Sequence, residues 1–143
     1  DNFNLEKAEN INYMFASSQL LTELDLSHVK TTNALKSMYY TFYDMRKVVT
    51  ISIPGFDTSG ANNMYGAFYD MPELTTIYTS EKFVPPTAGA TYYSPTERMF
   101  YLAPKLVGGA GTHQSNYHNY STYARIDDPS NGKPGYFTYK AAP

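Results

Sequence analysis

Three histidines, His28, His113 and His118, together with thirteen carboxylates and no cysteine, are the side chains from which any metal centre would have to be assembled. Zinc asks for about four N, S or O ligands at defined spacing. His113 and His118 stand five apart in an irregular stretch, with Asp127 and Asp128 beyond, which fits neither a helix face nor a knuckle. The run Asp127 to Gly132, "DDPSNG", carries oxygens suited to calcium but lacks the alternate-position ligands and the closing glutamate. It reads as a turn. No glycine-rich phosphate loop follows a strand pattern, and no serine sits in a nucleophile elbow. Asn119-Tyr120-Ser121 fits an N-glycosylation acceptor, which matters only on a eukaryotic secretory route and is expected to be empty. This inventory predicts no enzyme and no cofactor. What is abundant is recognition chemistry: fifteen tyrosines, with no tryptophan and a charged fraction of 17%. Such a balance is closer to surface and adhesion modules than to cytosolic enzymes.

Formal charge narrows the partners. At −2, with a pI near 5.9, the chain has no basic field for phosphates or for an anionic membrane surface. Nucleic acid is therefore not expected as a partner. No apolar stretch approaches the roughly 18–20 residues that span a bilayer, and the first residues show no basic region followed by an apolar core. With 143 residues the chain has the length of one ordinary domain, which buries roughly 68–70% of its unfolded surface. Missing cysteine rules out disulfides without choosing a compartment.

The candidate recognition residues are positioned by an internal repeat. Phe15, Phe42, Phe68 and Phe100 recur about every 26 residues, with one insertion near 84–93 where Pro85, Pro86 and Gly89 sit. Six residues after each anchor stands an aliphatic side chain, Leu21, Val48, Leu74 or Leu106, and nine after stand Leu24, Ile51 and Ile77, with Gly109 failing the pattern. Before the anchor, Leu35, Met38 and Phe42, like Ala61, Met64 and Phe68, are spaced three and four apart, as on a helix. After it, Leu24 and Leu26, then Ile51 and Ile53, alternate as in a strand. One copy thus predicts a short helix or helical turn followed by a short strand. Such a unit cannot cover its own apolar face, and stacking copies does so. Equivalent strands must then be parallel neighbours. Thr31, Thr32 and Asp57-Thr58-Ser59 are expected to cap the following helical turns.

With its period, its strand consensus and its Phe-Asp-Thr-Ser turn, the chain resembles the BspA-type leucine-rich-repeat surface proteins of bacteria, in the subgroup with repeats of about 26 residues. The resemblance runs from about Asn10 to Thr138. It is carried by "IPGFDTSGANNMYGAFYDMPELTTIY", by Leu106–Gly109 with Gly111, by "TYARID" (Thr122–Asp127) and by "GYFT" (Gly135–Thr138), which is similar to that family's closing segment. Where that family often has cysteine, three after the anchor, stand Ser18, Met45, Met71 and Ala103. The resemblance implies an α/β leucine-rich-repeat solenoid, with parallel strands on one face and short helices or helical turns on the other. It implies a bacterial surface or secreted location and a role in adhesion or protein binding. It brings no catalytic residues.

The domain reading is a solenoid over 1–111, of about four repeats, and a capping segment over 112–143, in which Tyr117, Tyr120, Tyr123, Ile126, Tyr136 and Phe137 pack over the open end. Residues 1–10 show no strand consensus, so an upstream part is expected to be missing or to form a short helix. Outward residues of the strands then define the site. Eight after the anchor come Glu23, Thr50, Thr76 and Gly108; ten after come Asp25, Ser52, Tyr78 and Ala110. Tyr78 is the informative one, because tyrosine combines rigid area with a hydroxyl and is enriched at interfaces. The bland alternative is that these are solvated strand residues. A second candidate is the insertion, with Tyr92 and Tyr93 able to stack on a sugar or a peptide, or simply to anchor the loop. The favoured partner is another protein, with a glycan-binding module and a passive spacer presenting another domain as alternatives.

Overall fold

A computed structural model of the chain describes residues 3–86, 98–115, 118 and 121–143. Four short strands, β1 (Glu23–Asp25), β2 (Thr50–Ser52), β3 (Thr76–Thr79) and β4 (Phe137–Tyr139), form one sheet in that order, every pair parallel. The register aligns Leu24 with Ile51, Ile51 with Ile77 and Ile77 with Phe137. These are the inward residues, and all four are buried. The strands stop early for a local reason: a turn follows each of the first three, closed by Val29 N–H to Leu26 O, Phe56 N–H to Ile53 O and Phe83 N–H to Ser80 O. A small parallel sheet with little helix is compatible with an α/β class. Among the described residues its helical part is two 3-10 turns, Ser121–Tyr123 and Pro129–Asn131.

The segments that carry the anchor phenylalanines are not helices. Each is a pair of turns with left-handed backbone two residues before and two residues after the anchor: Tyr13 and Ser17, Tyr40 and Asp44, Gly66 and Asp70, Arg98 and Leu102, all with φ between 53° and 61°. A helix would spend every N–H within its own segment. Here alternate N–H groups reach the next segment instead, Ile11 to Ser37 O, Tyr13 to Tyr39 O, Phe15 to Thr41 O and Ser17 to Tyr43 O, at 2.8–3.1 Å. The same ladder repeats from Met38, Tyr40, Phe42 and Asp44 to Asn63, Tyr65, Ala67 and Tyr69. Left-handed backbone costs an L-residue roughly 1–2 kcal/mol, offset here by the ladder and the burial it permits. The three-and-four spacing of Leu35, Met38 and Phe42 is therefore produced by turns whose apolar side chains all point inward.

Between sheet and turns lies the core. Phe15, Phe42, Phe68 and Phe100 form one stack, with centroids 5.7, 5.1 and 5.5 Å apart and rings within 13° of parallel. Val48, Leu74 and Leu106 form a second buried column, and Met45, Met71 and Ala103 a third. The threonines expected to cap helices clamp neighbouring segments to one another. Thr31 Oγ1 donates to Asp57 O (2.7 Å), Thr32 Oγ1 to Glu6 O (2.8 Å), and Thr58 Oγ1 donates to Val84 O (2.7 Å) while accepting from Val84 N–H. Asp57 keeps a local role, accepting from Ser59 N–H.

The fourth copy departs from expectation halfway along. It stacks Phe100, buries Leu106 and pairs Val107 N–H with Thr75 O at 3.0 Å, then leaves the sheet. Gly109 offers no side chain for the inward position, and Phe137 takes it, making β4 from the closing segment. Gly108 and Ala110 consequently do not extend the strand-face columns. The detour is held by Asp127, whose carboxylate accepts from Ala110 N–H, Thr112 N–H, Thr112 Oγ1 and Gly135 N–H at 2.6–3.1 Å. A Cβ on Gly108 would meet Gly135 O at 2.2 Å, so the two backbones close only around glycine.

Candidate functional site on the strand face

Parallel register brings the predicted outward residues together. Glu23 aligns with Thr50 and Thr50 with Thr76; Asp25 aligns with Ser52 and Ser52 with Tyr78. Glu23 and Asp25 are exposed, Thr50, Thr76 and Tyr78 half-buried, and Ser52 is buried at 7%. The reason for that burial is the chain's own end. Past β4, Lys140 N–H donates to Thr79 O and its ammonium turns onto the sheet, donating to Ser27 Oγ (2.9 Å) and Ser52 Oγ (3.2 Å) and sitting 5.7 Å above the Tyr78 ring. Ser27 Oγ also contacts Ser52 Oγ at 2.8 Å and donates to Asp25. The Asp25 carboxyl is held below the usual carboxylate range, first by the Ser27 hydroxyl and amide hydrogen bonds, each of which outweighs the opposing effect of burial, and to a lesser extent by the charges of Lys140 and His28. The ten-after column is thus a small polar site around an ammonium group, and the eight-after column beside it is open. Position β4 adds Thr138 next to Tyr78.

Other sequence candidates resolve differently. Tyr92, Tyr93, Tyr117, Asn119 and Tyr120 lie outside the described residues. Tyr136 is buried, stacked on Tyr123 at 4.9 Å and set edge-on against Phe100, and its hydroxyl donates to His118 O. These rings pack the closing segment on the core. The Asp128 carboxylate accepts from Ser130 and Asn131, and Gly132 takes φ 72°, so the part of "DDPSNG" from Asp128 onward is a local turn, while Asp127 reaches outside it. Among the described residues no group of three or more His, Cys, Asp or Glu is placed to hold a metal ion, and no helix is long and apolar enough to cross a membrane.

A second surface went unread in the sequence. On the turn side Tyr13, Tyr39, Tyr40, Tyr43, Tyr65, Tyr69 and Tyr101 make one continuous ring cluster. Tyr43, Tyr69 and Tyr101 stack at 5.3 and 5.7 Å, and Tyr13 lies nearly parallel to Tyr40 at 5.5 Å. The next position in that column is Gly66, where a Cβ would come within 2.8 Å of the Tyr40 ring. Burial first, then the neighbouring tyrosines, pushes the Tyr40 phenol up, so it stays a neutral hydrogen-bond donor. The signal was available: tyrosine recurs one residue after three of the four anchors. Compared with known proteins, the chain matches no family model, no curated protein and no solved structure.

Proposed function

We propose that this chain is a non-catalytic binding module of the BspA-type leucine-rich-repeat kind, a solenoid of about four repeats whose strand face recognises another protein at a bacterial cell surface or outside the cell. The observation that carries the reading is the in-register alignment of Glu23, Thr50 and Thr76 beside Asp25, Ser52 and Tyr78 on three parallel strands. Side chains there stand at intervals set by the sheet, about 4.8 Å between strands, a fixed polar grid with one aromatic. Such a surface favours a partner with cationic and hydrogen-bonding groups, since Asp25, Ser27, Ser52 and Tyr78 already accommodate one ammonium group. The test is a binding screen of the chain and its Glu23/Asp25/Ser52/Tyr78 quadruple variant against matrix proteins, bacterial surface proteins and a glycan array. A protein hit lost by the folded variant supports the reading. A hit the variant retains moves recognition off this face, and a saturable sugar hit lost on Tyr→Ala substitution selects the glycan-binding alternative. A folded chain with no hit favours the spacer.

A further inference from the structure

The chain supplies its own ligand to the strand face, and the way that ligand is held shows what the site selects. After β4, Lys140 N–H donates to Thr79 O at 2.8 Å. Residues 140–143 then run from the carboxyl end of β3 to the turn that follows β2, where a Cβ on Gly55 would lie 3.3 Å from Pro143 Cγ. Among the described residues Ala141, Ala142 and Pro143 make no hydrogen bond, and Ala141 and Pro143 are exposed. This strap is therefore held by the Lys140 amide, the Lys140 ammonium and the proline contact.

Hydroxyl polarity at the site is set by its carboxylate. The Ser27 hydroxyl donates to Asp25, which leaves Ser27 Oγ an acceptor toward its other neighbours. In the Ser27–Ser52 contact at 2.8 Å, Ser52 is therefore the donor. Both oxygens keep lone pairs, and both accept from Lys140 Nζ, at 2.9 and 3.2 Å. Two aligned hydroxyl dipoles thus extend the negative charge of Asp25 to the ammonium. Tyr78 completes the site with a ring centroid 5.7 Å from Nζ, within the range where a ring attracts a cation. Two hydroxyl oxygens and a ring suit a compact ammonium with three divergent donors. A planar guanidinium asks for a paired, carboxylate-like acceptor, and the Asp25 carboxylate is already engaged by Ser27.

We infer that this is a binding site for a lysine side chain carried on an extended segment of a partner protein, and that residues 140–143 are a displaceable strap occupying it in the partner's absence. The inference rests on the strand-face reading above and adds to it the partner's chemistry and a means of regulation. Lys140 displays the binding mode: a backbone N–H on the carbonyl at the end of β3, an ammonium on Ser27 and Ser52, then small residues and a proline lying across the next turn. Lys140 is itself exposed, and an ammonium on an exposed side chain is weakly held. The site is consequently open part of the time, and a partner lysine binds with an affinity lowered by that open fraction.

Heteronuclear NMR of the full chain, unmodified and as Lys140→Ala, tests both halves with Nα-acetyl-lysine methylamide as the probe. In Lys140→Ala the probe should shift the Ser27, Ser52 and Tyr78 amides saturably. The unmodified chain should need about threefold more probe, the loss expected when a weak tethered contact closes the site for roughly two-thirds of the time. In that chain the Lys140, Ala141 and Ala142 amides should shift along the same curve as the strap leaves, a readout independent of whether the variant folds. Nα-acetyl-arginine methylamide, and alanine methylamide with its ammonium on the main chain, should bind the variant at least about threefold more weakly than the lysine probe. No saturable shift in a folded Lys140→Ala chain would overturn the inference, as would equal midpoints for the two chains or a Ser52 response without movement of Lys140 to Ala142. A protein hit lost by the quadruple variant, with no response to lysine, would overturn this inference alone and leave the strand-face reading standing.

Discussion

Phe68 is the side chain on which a stacked core makes its sharpest demand. Its ring is fully buried, lies between Phe42 at 5.1 Å and Phe100 at 5.5 Å, and takes the edge of Phe137 at 6.1 Å. Truncation to alanine removes a buried aromatic side chain and opens a cavity that the flanking rings cannot fill without leaving their own stacks. Large-to-small aromatic substitutions of this type cost about 3–5 kcal/mol, and losing contacts on both faces and one edge places Phe68→Ala in the upper part of that range. Phe15→Ala removes the same atoms from a half-buried end position with one stacked neighbour, and should cost about 1–2 kcal/mol. Lys47→Ala, on an exposed side chain, should cost less than about 0.5 kcal/mol. Urea unfolding followed by far-UV circular dichroism separates the three. With a slope of about 2 kcal/mol/M, Phe68→Ala lowers the midpoint by about 2 M. Equal losses for Phe68→Ala and Phe15→Ala would refute the argument, because the phenylalanines would then not be acting as one stack with an interior and an end.

Asp127 makes the closing segment sensitive to acid. Burial opposes its ionisation, but the hydrogen bonds from Thr112, Gly135 and Ala110 outweigh that and hold its carboxyl below the ordinary value. The stabilisation is therefore fully present above the unfolded carboxyl's range, near pH 4, and is lost as pH falls through the lower folded value. Asp127→Asn should flatten that acid limb, and Asp127→Ala should cost about 2–4 kcal/mol by stranding its donors; an unchanged acid titration of stability would contradict this. At Ser17, where φ is 59°, glycine should be neutral or stabilising by up to about 1 kcal/mol while valine destabilises by about 1–2 kcal/mol, a difference thermal melts resolve. Gly66→Ala should destabilise more than an ordinary surface change, since it adds left-handed strain to the contact with Tyr40, and loss of near-UV tyrosine dichroism would report the displaced ring. Lys140→Ala should leave stability within about 0.5 kcal/mol yet raise binding of a cationic partner to the strand face; unchanged or weaker binding would mean that the ammonium contact does not compete.

What could be read in the sequence was whatever the chain repeats. Phenylalanine at a fixed interval, followed by aliphatics at six and nine, led directly to the stacked core and to the Leu24, Ile51, Ile77 register, because burial of each column is the same physical event several times over. The turn backbone was not legible. Tyrosine, arginine and leucine are poor markers of left-handed conformation, so Tyr13, Tyr40, Arg98 and Leu102 gave no local sign, and inward-pointing turns mimic helical spacing. The failure at Gly109 was visible, but not its replacement, since Phe137 arrives by a long detour in which the Asp127 carboxylate ties together residues distant in the chain. For the same reason the columns of the strand face were readable while the covering of Ser52 by Lys140, 88 residues distant, was not.

The ladder of hydrogen bonds between segments also sets how the chain yields to force. From β1 to β3 its backbone bonds join neighbours about 26 residues apart, so a pull on the amino-terminal end meets them one segment at a time, as a zip rather than as a shear plane. Each segment released adds roughly 26 residues of extended chain, about 90 Å, and leaves the next stack of rings intact. Through β1 and β2 such a module lengthens in steps under load, its sheet shortened by one strand per step, while the segments still stacked keep their face.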